Sequence, residues 1–183
     1  DIGDEKSVVL AGLGLSDLGL VTLASAGHLP SLFDTRPLKA LVDPDHWAKE
    51  LNCLAVAIYH EARGEPVRGQ RAVAQVILNR VESRHYPGTI CGVVYQNSHW
   101  RYRCQFTFAC DRYSDRIRDQ RSWDVATEVA EDAMTGRAWL PGVGGSTHYH
   151  ANYVSPRWIR DMVHRETIGK HIFYMVRRWM RDA

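Results

Sequence analysis

The chain has 183 residues, 45% hydrophobic and 24% charged, enough for one compact domain with a real core plus an extension. A formal net charge of +2 gives no footing for a charge-driven nucleic-acid partner, and none is expected. The positive charge is nearly all arginine, since only Lys6, Lys39, Lys49 and Lys170 are lysine. Arginine suits bidentate carboxylate contacts and stacking on flat groups, although genome base composition produces the same bias.

Residues 1–42 read as an N-terminal extension with glycines, Pro30, Pro37 and no sustained periodicity. Val8 to Ala26 is apolar, but Asp17 interrupts it and Gly12, Gly14 and Gly19 dilute it. A spanning helix needs about 20 predominantly apolar residues, so this run is a poor candidate. It also lacks the basic segment of a signal peptide. The first residue is Asp rather than Met, so an initiating segment is expected to have been removed or to lie outside this sequence. The extension is left open as a tether or interaction segment.

The core domain is expected to occupy 43–183. Asp43 is a candidate N-cap and Pro44 sits at the first helical position, where its missing N–H costs nothing. Trp47, Leu51, Leu54, Ala55 and Ile58 recur at helical spacing, so a first helix should end near Ala62, before Gly64 and Pro66. A second helix is expected over about 68–84, with Val73, Val76, Ile77 and Val81 as its apolar stripe and Arg71, Asn79, Arg80 and Glu82 elsewhere. After a turn at Tyr86-Pro87-Gly88-Thr89, a short helix should cover about 90–95.

The stretch 97–121 is polar, aromatic and irregular. Within it, the alternation of Cys104 to Cys110 suggests a short strand or an extended loop tied by its cysteines. A third long helix should run from about Trp123 to Thr135 and stop at Gly136. Ser146 to Ala151 reads as a strand after a flexible glycine turn, and Ser155 to Trp158 as a cap or short helix. Met162 to His164 and Ile172 to Met175 read as a hairpin with Ile168-Gly169-Lys170 at its tip. The fold class is therefore α+β, mostly helical, with a small antiparallel sheet.

The four cysteines Cys53, Cys91, Cys104 and Cys110 permit two disulfides in any of three pairings, with free buried thiols as the alternative. No C-x-x-C pair is present, which argues against a zinc ribbon or a thioredoxin-like motif. An oxidising compartment, periplasm or cell exterior, is favoured.

Glu61 stands out among the polar residues. It lies where an apolar helix is about to end, and a helix C-terminus disfavours negative charge. A carboxyl beside an apolar wall has its neutral form favoured, which a general acid near neutral pH requires. The bland alternative is a surface glutamate bonded to a loop amide, and that role fits Glu65 better. His60-Glu61 does not make a zinc-protease motif, because Gly64 stands where the second histidine would be. His148 and His150 would share one face of a strand and could bind a metal with a third ligand from His60, Glu61, His99, His164 or His171. No closed ligand set is visible, so no metal or other cofactor is assigned and these residues are read as a polar cleft wall. Gln105, Phe106, Tyr149, Tyr153 and Trp158 suit a carbohydrate, whereas Phe106 and Trp158 are equally suited to the core.

Several motifs in order carry a resemblance: Leu54-Ala55-x-Ala57-Ile58-Tyr59-x-Glu61-Ala62-Arg63-Gly64-Glu65-Pro66, then Gly69-Gln70-x-Ala72-Val73-Ala74-x-Val76-x-Leu78-Asn79-Arg80-Val81. Tyr86-Pro87-x-Thr89-Ile90-Cys91-x-Val93-Val94-Tyr95-Gln96, Cys104-Gln105-Phe106 and Thr147-His148-Tyr149-His150-Ala151 continue it. Over about residues 50–175 the chain resembles the SleB/CwlJ family of cell-wall hydrolases. The resemblance implies a lysozyme-like domain that cuts peptidoglycan strands between N-acetylmuramic acid and N-acetylglucosamine. In the spore-germination members the reaction is that of a lytic transglycosylase and the substrate is spore cortex. The family's catalytic glutamate matches Glu61, and Gln105, Phe106, Thr147, His148 and Tyr149 are expected to line the cleft. The chain departs from those members in its cysteine-rich 91–110 segment and its extension, and it has no recognisable peptidoglycan-binding repeat. The cysteine-bearing version looks like those of Gram-negative bacteria or their phages, which places the chain in the periplasm, envelope or exterior, or in a phage particle. Two rival readings are a zinc amidase acting through His148 and His150, and a non-catalytic wall-binding module.

Overall fold

The computed structural model describes residues 43–100, 104–111 and 116–177; the readings made for 1–42 fall outside them. Four helices and one three-stranded sheet follow in chain order. Helix α1 spans Pro44–Ala62, with Asp43 accepting a hydrogen bond from the Asp45 amide and Pro44 at the first turn. Its buried side is mostly apolar, and Leu54, Ala57 and Ile58 are fully buried. The helix closes with the Glu65 amide donating to the Ala62 carbonyl.

Helix α2, Val67–Glu82, buries far more than the expected stripe. Gly69, Gln70, Ala72, Ala74, Gln75 and Arg80 are buried as well as Val73, Val76 and Ile77. A helix covered on most sides is the centre of the domain rather than its skin. Three of its polar residues hold the chain that leads into the sheet. Gln75 donates to the Leu140 and Gly144 carbonyls at 3.2 and 2.8 Å and accepts from the Leu140 amide at 2.7 Å. Asn79, one turn on, donates to the Gly144 and Ser146 carbonyls at 2.9 and 2.8 Å. Arg80 Nε then reaches the Thr147 carbonyl at 2.8 Å. These bonds take up backbone groups that would otherwise be buried unpaired, and they set where the first strand begins.

Helix α3, Ile90–Val94, is capped by the Thr89 hydroxyl. The buried carboxylate of Glu50 accepts from the Ile90 and Cys91 amides at 2.5 and 3.2 Å. A disulfide between Cys53 and Cys91 joins the same two helices. Helix α4, Gln120–Met134, begins three residues before the expected Trp123 because Asp119 caps it. The Tyr59 hydroxyl of α1 accepts from the Arg118 and Asp119 amides and pins that start. Gly136, with φ +77°, ends the helix in the left-handed conformation that favours glycine.

Strands β1 (His148–Ala151), β2 (Met162–Ile168) and β3 (His171–Val176) form an antiparallel sheet in the order β1-β3-β2. The mostly helical α+β class with a small antiparallel sheet is the one read from the sequence. The β2–β3 hairpin turns at Gly169, φ +57°, as expected. A Cβ there would stand 1.9 Å from Glu65 Oε2, so only glycine fits. Phe173 and Ile168 carry the sheet into the helical core. The Cys104–Cys110 segment departs from the strand alternative: it is a loop with a single 3-10 turn at Thr107–Ala109, closed by a disulfide between its ends.

Candidate active site

Glu61 occupies the last turn of α1 and is half-buried. It opens onto a cavity of about 380 Å³ lined by residues from two helices, the disulfide loop and the sheet. His60 and Glu61 come from α1, Arg80 from α2, Gln105 to Thr107 from the disulfide loop, and Tyr149, His150 and His171 from the sheet. Tyr153 and Val154 form an exposed rim. The wall beside Glu61 is aromatic and polar rather than purely apolar.

The Tyr149 hydroxyl donates to Glu61 Oε2 at 3.1 Å. Burial raises the Glu61 carboxyl above its ordinary range, opposed by the Tyr149 bond and then by the charge of Arg80. The physical sense is the one a proton donor needs, since its neutral form persists toward neutral pH. Desolvation first, and the neighbouring Glu61 second, push the Tyr149 hydroxyl upward, so it stays a donor. Among the described residues that line the cavity, Glu61 is the only acid.

Glu65 has a different task. Its Oε2 accepts from the Lys170 amide at 2.9 Å and holds the hairpin tip, the loop-fixing role expected of it. His60 stacks on Phe108 with ring centroids 4.8 Å apart, which couples α1 to the disulfide loop.

Strand alternation separates the Thr147-His148-Tyr149-His150 run. Tyr149 faces Glu61 and packs on Phe173 at 5.7 Å. His148 and His150 both lie against Trp158, at 5.3 and 5.6 Å. Of the six residues expected at the site, Glu61, Gln105, Phe106 and Tyr149 line the cavity, whereas Thr147 and His148 are not part of that lining. Thr147 is buried and serves as backbone, its carbonyl held by Arg80. His148 has Nδ1 bonded to the Thr147 hydroxyl, and burial followed by the charge of Arg80 lowers its pKa to about 4. Trp158, a candidate for sugar stacking, packs instead on His148, His150 and Tyr174.

His148 and His150 share one side of the strand, as expected, and His150 is hydrogen-bonded at both ring nitrogens. The Ala151 carbonyl can only accept, so His150 Nδ1 donates to it, and the other nitrogen, Nε2, meets the Tyr174 hydroxyl at 3.1 Å. Both nitrogens are in use. Arg80 is the cavity residue that sequence reasoning missed, having been placed off the apolar stripe. It is 3% exposed, and its guanidinium lies over the rings of Tyr86 and Phe106 at 5.4 and 5.6 Å.

The cell wall hydrolase family matches residues 64–174, starting three residues after Glu61. The chain belongs to this family. It is 34% identical to the spore cortex-lytic enzyme of Oceanobacillus iheyensis over 128 residues, covering 68% of this chain and 41% of that protein. The spore cortex-lytic enzyme of Bacillus subtilis is 35% identical over 124 residues, with 68% and 37% covered. The chain thus spans about two-fifths of the length of these relatives. The catalytic domain of the Bacillus cereus SleB protein superposes with a TM-score of 0.54 at 34% identity, covering 70% of this chain and 91% of that one. The catalytic domain of the germination-specific lytic transglycosylase SleB from Bacillus anthracis gives 0.53 at 35% identity, with 69% and 93% covered. The fold of this family member is therefore that of the SleB catalytic domains, the lysozyme-like class expected.

Proposed function

We propose that this cell wall hydrolase cleaves peptidoglycan strands between N-acetylmuramic acid and N-acetylglucosamine by lytic transglycosylation, with Glu61 as its one general acid and base. The observation that carries this is the cavity itself: among the described residues that line it, one carboxyl, raised by burial and steadied by the Tyr149 hydroxyl, stands among residues suited to a sugar. Two carboxylates are the usual requirement for glycoside hydrolysis. One suffices when the substrate supplies its own nucleophile. Glu61 gives its proton to the glycosidic oxygen as the bond from C1 to that oxygen breaks. The muramic acid 6-hydroxyl oxygen then bonds to C1, and its proton returns to the Glu61 carboxylate. Atoms and charge balance, and the acid is regenerated.

Gln105, Phe106 and Tyr149 supply amide, ring face and hydroxyl to the bound strand. The relatives' names, spore cortex-lytic enzyme and lytic transglycosylase, agree with this chemistry. Both disulfides suit a place of action outside the cytoplasm, where peptidoglycan lies. Residues 1–42 are assigned to attachment, to a membrane, the envelope or a phage particle.

Digestion of purified peptidoglycan, read by mass spectrometry, tests the proposal. Fragments ending in 1,6-anhydromuramic acid are expected from the native chain and none from Glu61→Gln. Reducing ends would replace transglycosylation with water attack. Free peptides would indicate an amidase, and binding without cleavage would leave a wall-binding module.

A further inference from the structure

Of the seven buried side-chain polar atoms without a partner among the described residues, three belong to the Glu61 cavity: His60 Nε2, Arg80 Nη1 and His171 Nδ1. Buried polar groups are normally satisfied, so a cluster of unmade bonds at one cavity marks places a ligand fills. Arg80 is the charged member of the three, and its setting is unusual. Arg68, Arg71 and Arg137 pair with Glu166 or Asp132 at partly exposed positions. Arg80 is 97% covered, and those ion pairs do not include it. Thr147 holds its Nε, Tyr86 gives it a side-chain hydrogen bond, its guanidinium carbon lies over the Tyr86 and Phe106 rings, and Nη1 has no partner. A buried guanidinium held this rigidly is preorganised for an acceptor that arrives with the substrate.

We propose that Arg80 is a substrate-recognition residue, its Nη1 donating to an acyl oxygen of the sugar whose bond is cut. The inference rests on the peptidoglycan reading above. Guanidinium has donors and no acceptor, so it discriminates poorly among hydroxyls and strongly in favour of carbonyl or carboxylate oxygen. N-acetylmuramic acid carries that chemistry twice, in its 2-acetamido carbonyl and its 3-lactyl group. Arg80 on α2 and Glu61 on α1 line one cavity, so an acyl group held at Arg80 orients the pyranose ring relative to the acid.

Binding in the Glu61→Gln background, which holds a strand without cutting it, provides the test. Calorimetry would compare Arg80, Arg80→Lys and Arg80→Met with a tetrasaccharide of alternating N-acetylglucosamine and N-acetylmuramic acid, and with chitotetraose. Arg80→Met is expected to weaken the muramoyl tetrasaccharide at least about tenfold, and Arg80→Lys less. An equal loss for chitotetraose assigns the acetamido oxygen; a loss confined to the muramoyl ligand assigns the lactyl group. Affinities within twofold for both ligands, in variants that melt as cooperatively as the parent, overturn the proposal. Should Arg80→Met fail to fold, the guanidinium nitrogen resonance of Arg80 in the Glu61→Gln protein decides: a shift on adding the tetrasaccharide supports the contact, and no shift overturns it. A native chain that leaves peptidoglycan intact sinks the functional reading instead. A native chain that cleaves while Arg80 proves indifferent sinks only this inference.

Discussion

The two ends of α1 each place a glutamate toward the interior, and the fold uses them in opposite ways. Glu50 and Glu61 are eleven residues apart, close to three helical turns, and so project from one side of the helix. At the N-terminal end, Glu50 is saturated by the fixed amides of Ile90 and Cys91, and the Cys53–Cys91 disulfide locks the contact. At the C-terminal end, Glu61 receives one side-chain hydroxyl and faces a cavity. A carboxylate bound by two backbone amides is mortar for a helix start. One with a single side-chain donor and an open side can exchange a proton. Burial alone does not distinguish the two; the number and kind of donors does.

That contrast can be broken from either end. Glu61→Gln should lower strand cleavage by about 10²–10⁴-fold, the usual worth of a general acid, while leaving the melting curve in place. Removing the Cys53–Cys91 bridge by double alanine substitution should destabilise the domain by about 4 kcal/mol on loop-closure grounds, measured by denaturant unfolding under oxidising conditions. Glu50→Ala should follow with about 1–3 kcal/mol, the cost of stranding amide donors, and should leave turnover at low temperature near normal. Loss of turnover comparable to Glu61→Gln would erase the distinction between the two ends.

Two smaller effects sharpen the functional end. The Cys104–Cys110 bridge closes the loop that carries Gln105, Phe106 and Thr107, so Cys104→Ser with Cys110→Ser should raise KM severalfold and shift Tm less than loss of Cys53–Cys91 does. Tyr149→Phe should cost about threefold to tenfold in kcat and move the pH profile. The sign follows from the carboxyl. Glu61 is raised by burial, works when protonated, and loses activity as pH rises through its value. The Tyr149 bond favours the charged form, so deleting it moves that falling limb to higher pH. By linkage, the stability held by protonated Glu61 is fully present below the ordinary carboxylate range and is lost as pH rises through the raised value. A falling limb that moves to lower pH in Tyr149→Phe would contradict the hydrogen bond as described.

The helices were legible because their signals are local. Asp43-Pro44 marks the start of α1, Gly136 the end of α4, and Gly169 the hairpin tip, each through a cap or a backbone conformation. The start of α4 was placed late because apolar periodicity begins at Trp123 while the capping Asp119 lies outside that pattern. At the site, Glu61 was legible from its odd position at a helix end. Arg80 was not, because an arginine beside an apolar stripe reads as solvent-facing until the chain bearing Thr147 is laid over it. Thr147 and His148 were assigned to the cleft as part of one motif, yet a strand turns alternate side chains to opposite faces. Once Tyr149 meets Glu61, His148 must point toward Trp158.

By itself, then, the order of residues determined the helical class, the short sheet, the even set of cysteines and the acid worth testing. Those features depend on neighbours in the chain, through capping, periodicity and turn chemistry. Only the tertiary structure decided which cysteines pair, that Gln75, Asn79 and Arg80 clamp the entry to β1, and which side chains share a cavity with Glu61. Each of those is a contact between segments far apart in sequence, set by how the elements pack and invisible to any local pattern.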